Sequence, residues 1–367
     1  MALPVEPATA PRRHAVFHEL VVSRVDRLTD DAVAITFAVP PELREDYRFT
    51  QGQHVSLRHT VAGDEARRNY SISSPAGSGR LQVAVKLLPG GVFSSFAHSR
   101  LRAGDRLEVM TPTGRFSTPL DASARRRYVA IAAGSGITPI LSIMATTLEV
   151  EQRSEFTLVY GNRTTQTIMF LEELEDLKNR YPDRVCLYHV LSRERLDVDL
   201  FSGRIEAGRL EQFLDTLIPP AGVDAWFLCG PASMVTGGRE VLKARGVDPA
   251  RIHTELFHAE GREEAVRPRA PTDAGSATVT VVLDGRASTF SLAGDAEPIL
   301  DATLRIRADA PYACKGGVCG TCRARLVEGT VEMEQNYALE EVEVEAGYVL
   351  ACQSHPTSAR VTLDYDQ

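Results

Sequence analysis

Four of the chain's six cysteines fall in one stretch near its end, as Cys314, Cys319, Cys322 and Cys352. Their spacing is C-x4-C-x2-C, then twenty-nine residues, then a solitary fourth cysteine. Three sulfurs drawn from so short a loop converge only if the backbone curls tightly, and Gly316, Gly317 and Gly320 remove the Cβ barrier to such a curl. Six cysteines in 367 residues are too few for a disulfide framework, so their clustering points to a metal.

Two metals suit four thiolates. Zinc ribbons prefer a pair of C-x2-C knuckles. A first gap of four and a lone last ligand instead match the spacing with which plant-type ferredoxins hold a [2Fe–2S] cluster. The loop glycines also let amide N–H groups approach the bridging sulfides. The chain therefore reads as an electron carrier, with a zinc-stabilised nucleotide-binding protein of no redox function as the alternative from another class.

A chain of 367 residues exceeds the size at which single cores split. From 15 to 121, alternating runs such as Ala32–Phe37, His54–Arg58 and Leu81–Lys86 are punctuated by Pro and Gly, which predicts an antiparallel β-barrel. From 125 to 258, the apolar runs Tyr128–Ala133, Phe156–Tyr160, Val185–Val190 and Ala225–Leu228 each precede an amphipathic stretch. That alternation predicts an α/β domain with a parallel sheet. Residues 260–276, rich in Pro, Gly and charge, read as a linker. The remainder, 277–367, opens on two strand-like runs around Asp284-Gly285, a hairpin signal, and carries the four cysteines.

The net charge of −8 comes without a basic block, which argues against nucleic acid as a partner. The first fourteen residues lack an apolar core and are expected to be a frayed arm, not a signal peptide. Tyr128 to Leu148 carries no charge, but Gly134-Ser135-Gly136-Ile137-Thr138-Pro139 interrupts it where a membrane span needs continuity. A soluble, cytoplasmic protein with no membrane partner is expected.

Each upstream domain holds a candidate cofactor site. Arg68-Asn69-Tyr70-Ser71-Ile72-Ser73-Ser74 can present a cation, an aromatic face and hydroxyls from one strand, which is what a flavin needs. Alone it could equally be an ordinary strand. Gly90-Gly91-Val92-Phe93-Ser94-Ser95 opens a helix-like stretch able to receive a phosphate, and the two segments together favour flavin. In the second domain, Gly134, Gly136, Ile137 and Thr138 belong to a G-x-G-x-x-P variant of the dinucleotide fingerprint, between an apolar strand and an apolar helix. No acidic residue follows the second strand before Glu172, and Arg163 could meet a 2′-phosphate, so NADPH is favoured over NADH, although a loop arginine can simply be solvated. Cys229 and Cys186 could each be a small buried residue.

From about Phe17 to Asp364 the chain resembles the ferredoxin–NADP reductase superfamily with a fused plant-type ferredoxin. The likeness rests on GQHVSL, R-x-YSIS, AVKLLPGGVFS, AAGSGITPIL, YGNRT, CGPASM, PYACKGGVCGTC and AGYVLACQ. Within the superfamily it is similar to the reductase subunits of bacterial phenylacetyl-CoA epoxidases. Reductases of steroid-ring hydroxylases share most of these motifs. The resemblance implies FAD bound by Arg68, Tyr70, Ser71 and Ser74, with the pyrophosphate at Gly91 and Ser94 or Ser95. It implies that Gly134, Gly136, Ile137 and Thr138 line the NADPH site, that Ser71 acts near flavin N5, and that Cys229 lies beside the nicotinamide. Glu255-Leu256-Phe257 is similar to the family's terminal E-x-aromatic element, with Phe257 in place of a tyrosine. The implied activity is transfer of a hydride from NADPH to FAD and of single electrons through the cluster to the oxygenase component of a multicomponent monooxygenase. That acceptor would be a di-iron phenylacetyl-CoA epoxidase or, in the alternative, a steroid-ring or other aromatic-ring hydroxylating oxygenase. Glu340, Glu341, Glu343 and Glu345 could dock a basic partner or form a solvated face.

Overall fold

A computed structural model describes residues 16–61, 64–258, 276–293 and 297–367. Residues 1–15, and the expected linker up to residue 275, lie outside the described residues. The chain divides into two compact units, Phe17–Ala265 and one that includes Val266–Gln367.

The first unit opens with β1 (Phe17–Thr29), β2 (Ala32–Ala38), β3 (His54–Val61), β4 (Asp64–Ser71), β5 (Leu81–Lys86), helix α1 (Val92–Ser99) and β6 (Arg106–Met110). The strands form one antiparallel sheet in the order β4-β3-β6-β1-β2-β5. Its two edges meet just past β4, where Ile72 bridges Val83 and the Ser73 amide donates to the Gln82 carbonyl at 2.8 Å. The sheet thus curls into the expected barrel, and closure removes an exposed edge. Phe93 and Ala97 of α1 join the barrel core with Leu57, Ile72 and Val85.

The pattern then changes to β7 (Arg127–Ala133), α2 (Ile137–Val150), β8 (Glu155–Asn162), α3 (Leu171–Arg180), β9 (Val185–Leu191), α4 (Ala207–Thr216), β10 (Ala225–Pro231), α5 (Ala232–Ala244) and β11 (Ile252–His258). All five strands are parallel, in the order β11-β10-β7-β8-β9. The four predicted strands are present. The fifth, Ile252–His258, is added at the edge beside β10.

Every residue of α2 from Ile137 to Leu148 is buried. The cause is its position between the parallel sheet and the barrel: Ser142 Oγ donates to the Ser74 carbonyl at 2.7 Å, and Thr146 Oγ1 accepts from the Ala76 amide at 2.9 Å. A helix covered on all sides is apolar all round without entering a membrane. Among the described residues, no helix is long and apolar enough to cross one. At the end of α2 the fully buried Glu151 carboxylate accepts from the Tyr128 hydroxyl (2.9 Å), Ser154 Oγ (2.7 Å) and the Asp121 amide (3.0 Å), and it pairs with Arg126 at 3.1 Å. This satisfied charge pins the crossing from barrel to parallel sheet.

The second unit contains β12 (Ser276–Leu283), β13 (Arg286–Ala293), α6 (Ile299–Ile306), β14 (Arg323–Glu328), β15 (Val331–Met333), α7 (Glu341–Glu345), β16 (Tyr348–Leu350), β17 (Ser354–Pro356) and β18 (Arg360–Asp364). Five strands form a mixed sheet, β13-β12-β18-β14-β16, in which β12 and β18 are parallel, as a β-grasp requires. The predicted hairpin turn is present, with Asp284 and Gly285 at φ 53° and 66°, the geometry a two-residue type I′ turn demands.

One expectation about the sheets is corrected. Cys186 is exposed, because β9 is an edge strand and the residue alternates away from the core.

Candidate functional site

Open parallel sheets receive ligands beyond the carboxyl ends of their strands. There β7 runs through a single 3-10 turn, Gly134–Gly136, into α2. Gly134 takes φ +54°, and the Tyr160 hydroxyl donates to its carbonyl at 2.9 Å. Gly136 is required by space: a Cβ there would stand 2.1 Å from the Cys229 carbonyl oxygen. Ile137 and Thr138 are buried, with Thr138 Oγ1 donating to the Ser135 carbonyl at 3.0 Å, so the turn offers a pyrophosphate its backbone and not these side chains.

That close approach fixes the next strand. Cys229 on β10 lies in register with Ala132 of β7 on one side and Glu255 of β11 on the other. Glu255 accepts a hydrogen bond from Ser71 Oγ at 2.9 Å across 184 positions of sequence, which ties the parallel sheet to the end of strand β4. Burial pushes the Glu255 carboxyl up to about 7, and the Ser71 bond pulls in the opposite direction. The Cys229 thiol is fully buried and raised well above its usual range, first by burial and then by the Glu255 charge. It stays neutral. Phe257 is half-buried against the sheet core.

On the barrel side, Tyr70 is held by Phe93, with ring centroids 5.5 Å apart at 36°. Arg68 is exposed, one Nη donating to the Arg67 carbonyl at 2.8 Å. Two expected phosphate ligands are corrected. Ser74 is fully buried, its hydroxyl donating to the Arg80 carbonyl at 2.5 Å and accepting from the Gln82 amide at 3.3 Å. Ser94 is buried too, its hydroxyl donating to the Gly91 carbonyl and accepting from the Leu88 amide, both at 3.2 Å. Both hydroxyls hold turns together and are not free for a ligand. Ser95 is exposed and, with Gly90, Lys86 and Arg163, lines a cleft of about 450 Å³. Residues expected at the flavin and at the 2′-phosphate thus face the same cleft.

In the second unit the four cysteines form two contacting pairs, Cys314 with Cys319 and Cys322 with Cys352. Two thiolates per iron is what a binuclear cluster needs, so the donor set fits. The Cys319 thiol and the amides of Gly316, Val318 and Cys319 hold Cys314 well below the usual thiol range. The Cys322 thiol and the Gly317 amide do the same for Cys352. Cys322 and Cys352 are buried, whereas Cys314 and Cys319 are half-buried. Lys315, Gly317 and Gly320 adopt positive φ, which turns the loop on itself, and the Gly316 amide donates to Cys314 Sγ at 3.2 Å.

Three family models match in chain order. An oxidoreductase FAD-binding domain covers residues 19–118, an oxidoreductase NAD-binding domain 130–240, and a 2Fe-2S iron-sulfur cluster binding domain 281–357. The chain is 48% identical over 350 residues to one component of the 1,2-phenylacetyl-CoA epoxidase of Escherichia coli (strain K12), covering 95% of this chain and 98% of that protein. It belongs to the FAD- and [2Fe–2S]-dependent oxygenase reductases. The 3-ketosteroid-9-alpha-monooxygenase ferredoxin reductase component of Mycobacterium tuberculosis is 34% identical over 360 residues, covering 95% of this chain and 96% of its own. Phthalate dioxygenase reductase has the same fold, with a TM-score of 0.58, 23% identity, and 95% of this chain and 98% of that one covered. This reductase is accordingly an oxidoreductase that hands electrons to an oxygenase component, and the zinc alternative is set aside by the cluster-binding model.

One residue of the nucleotide end escapes sequence reasoning. The Arg193 amide donates to the Arg163 carbonyl at 2.8 Å, so two exposed arginines stand together past the ends of β8 and β9. Glu194 fixes this corner by accepting from the Thr165 amide at 2.8 Å and its hydroxyl at 3.0 Å. The available signal was Arg193 just beyond an apolar run, at the same offset as Arg163 after the previous one.

Proposed function

We propose that this reductase takes hydride from NADPH at the junction of β4, β10 and β11 and serves the di-iron oxygenase of phenylacetyl-CoA epoxidation, in the cytoplasm. The observation that carries the hydride site is the Ser71–Glu255 hydrogen bond, 2.9 Å long, with Cys229 in register beside it. When bound, FAD exchanges a hydride for single electrons and the [2Fe–2S] cluster passes those on one at a time. Tyr70, braced by Phe93, supplies the face on which the flavin ring stacks. Ser71 Oγ offers a proton at the flavin edge and recovers it from Glu255 Oε2, a carboxyl poised near neutrality for that exchange. Neutral Cys229 packs beside the nicotinamide without reacting.

Arg68, Gly91 and Ser95 hold the flavin pyrophosphate, and the Gly134–Gly136 turn with Ile137 and Thr138 receives that of the dinucleotide. Arg163 and Arg193 select NADPH through the 2′-phosphate. Phe257 covers the second flavin face. Cys314, Cys319, Cys322 and Cys352 hold the cluster as the exit port. The working domains are 15–121, 125–258 and 277–367.

The likeness to the Escherichia coli epoxidase component supports the acceptor, and the weaker likeness to the steroid monooxygenase component supports a ring-hydroxylating oxygenase as the second reading. Stopped-flow reduction by NADPH and NADH, followed in the flavin and cluster bands, tests the first half: NADPH reduces flavin faster, then cluster. Reconstituted turnover with each oxygenase tests the second, and failure to couple to the di-iron enzyme rejects it.

A further inference from the structure

The cysteines are not the last side chains to touch the cluster site. Gln353, next after the solitary ligand, is 4% exposed. Its amide Nε2 donates to the Cys352 carbonyl at 2.8 Å, to the Lys315 carbonyl at 3.0 Å and toward Cys352 Sγ at 3.6 Å. Lys315 belongs to the loop that carries the first three ligands. One amide therefore joins that loop to the fourth ligand, which is separated from it by twenty-nine residues.

The clamp is built on both sides. The Gln353 amide N–H donates to the Leu350 carbonyl and its carbonyl accepts from the Glu334 amide, each at 2.9 Å. The loop closes onto its stem at Gly317, where a Cβ would stand 3.1 Å from Gln353 Cγ and 2.9 Å from the Gln335 carbonyl oxygen. On the other thiol pair the corresponding side-chain contact is Thr321 with Cys319, from a half-buried position. The buried pair has the amide.

We propose that Gln353 is a positioning residue that seats Cys352 against the Cys314–Cys322 loop and raises the reduction potential of the cluster. Reduction adds negative charge that spreads over the sulfurs, and an N–H aimed at one of them favours the reduced form. Burial strengthens this, because no water competes for the sulfur. A glutamine suits the task, since its two amide hydrogens can serve the loop carbonyl and the sulfur together.

The inference rests on the cluster reading, and redox titration of the full-length holoprotein separates the two. Gln353→Met keeps the length and removes the donors. Its reduction equilibrium is expected to move about tenfold toward the oxidised form, about 59 mV for one electron, with flavin reduction by NADPH unchanged. Gln353→Glu, also without an N–H donor, is expected to shift in the same direction. Iron–sulfur bands with an unaltered potential in these variants overturn the inference alone; wild-type protein without such bands overturns the cluster assignment as well. If neither variant retains a cluster, reduced wild-type protein carrying side-chain 15N-glutamine decides. Hyperfine coupling from that nitrogen is required, and its absence rejects the contact.

Discussion

The hydride site and the cluster site are built in opposite ways. Ser71, Cys229 and Glu255 come from three strands, and the bond between the first and last spans 184 positions. Three of the four cluster cysteines come from one nine-residue loop. The first site exists only when the barrel and the parallel sheet are both folded and docked, whereas most of the second is written into one local turn. Long-range sites concentrate their fragility at points of contact, and local sites concentrate it in ligands.

Cys352→Ser is the most damaging single change this comparison predicts. It removes a thiolate from the buried pair, so cluster absorption, bound iron and electron delivery to a one-electron acceptor are all lost. Flavin reduction by NADPH persists, because that site lies in the other compact unit. Rapid-scan spectra of the variant check both halves, and loss of flavin reduction would break the separation.

The next largest effect belongs to Glu255. Glu255→Gln keeps the shape and removes the ionisable carboxyl, and hydride-linked flavin reduction is expected to fall about 100-fold. Stability carries the same signature with a definite sign. The folded-state carboxyl is raised to about 7, so its contribution is fully present below the ordinary value of 4.5 and is lost as pH rises through 7. Across that window wild type should lose about 3 kcal/mol relative to Glu255→Gln, as measured by chemical unfolding at a series of pH values. Parallel pH profiles for the two proteins would remove the buried carboxyl from the account. His54 behaves oppositely. Burial lowers it to about 4, so its contribution is present above 6.5 and is lost as pH falls toward 4.

These contrasts explain what the sequence could and could not disclose. The cluster ligands were legible because spacing alone encodes them, and the Gly134–Gly136 turn because its strand and helix flank it directly. Strand β11 escaped the periodicity reading, since Ile252–His258 sits at an edge and its Glu255 gains meaning only beside Ser71. Ser74 and Ser94 were misjudged for a related reason. A serine in a glycine-rich turn can meet a phosphate or a backbone carbonyl with the same hydroxyl, and only the folded turn shows that Arg80 and Gly91 take it. Arg193 was missed because nothing local marks it, and its role depends on a neighbour thirty positions upstream.

Cofactor choice gives a more moderate effect at that corner. Arg163→Ala should raise KM for NADPH about 10- to 100-fold, the value of one charge-assisted bond, and leave KM for NADH nearly unchanged. Adding Arg193→Ala should reduce the remaining preference. Equal losses for both nucleotides would show that the arginines support the fold and do not read the 2′-phosphate.

The smallest expected effect sharpens the comparison from its quiet side. Cys186 and Cys229 are the two cysteines outside the cluster, one exposed on edge strand β9 and the other fully buried in β10. Cys186→Ser replaces one solvated group with another, so stability should change by less than about 0.5 kcal/mol. Cys229→Ser places a stronger hydrogen-bonding group in the same enclosed volume beside the Gly136 backbone, and it should cost about 1–3 kcal/mol. A thiol reagent supplies an independent check, since in native holoprotein it should label Cys186 readily and leave Cys229 untouched until unfolding. Equal labelling of the two would mean that the junction of β10, β11 and the barrel opens to solvent. The neutral, enclosed hydride site inferred from Ser71, Glu255 and Cys229 would then not survive as described.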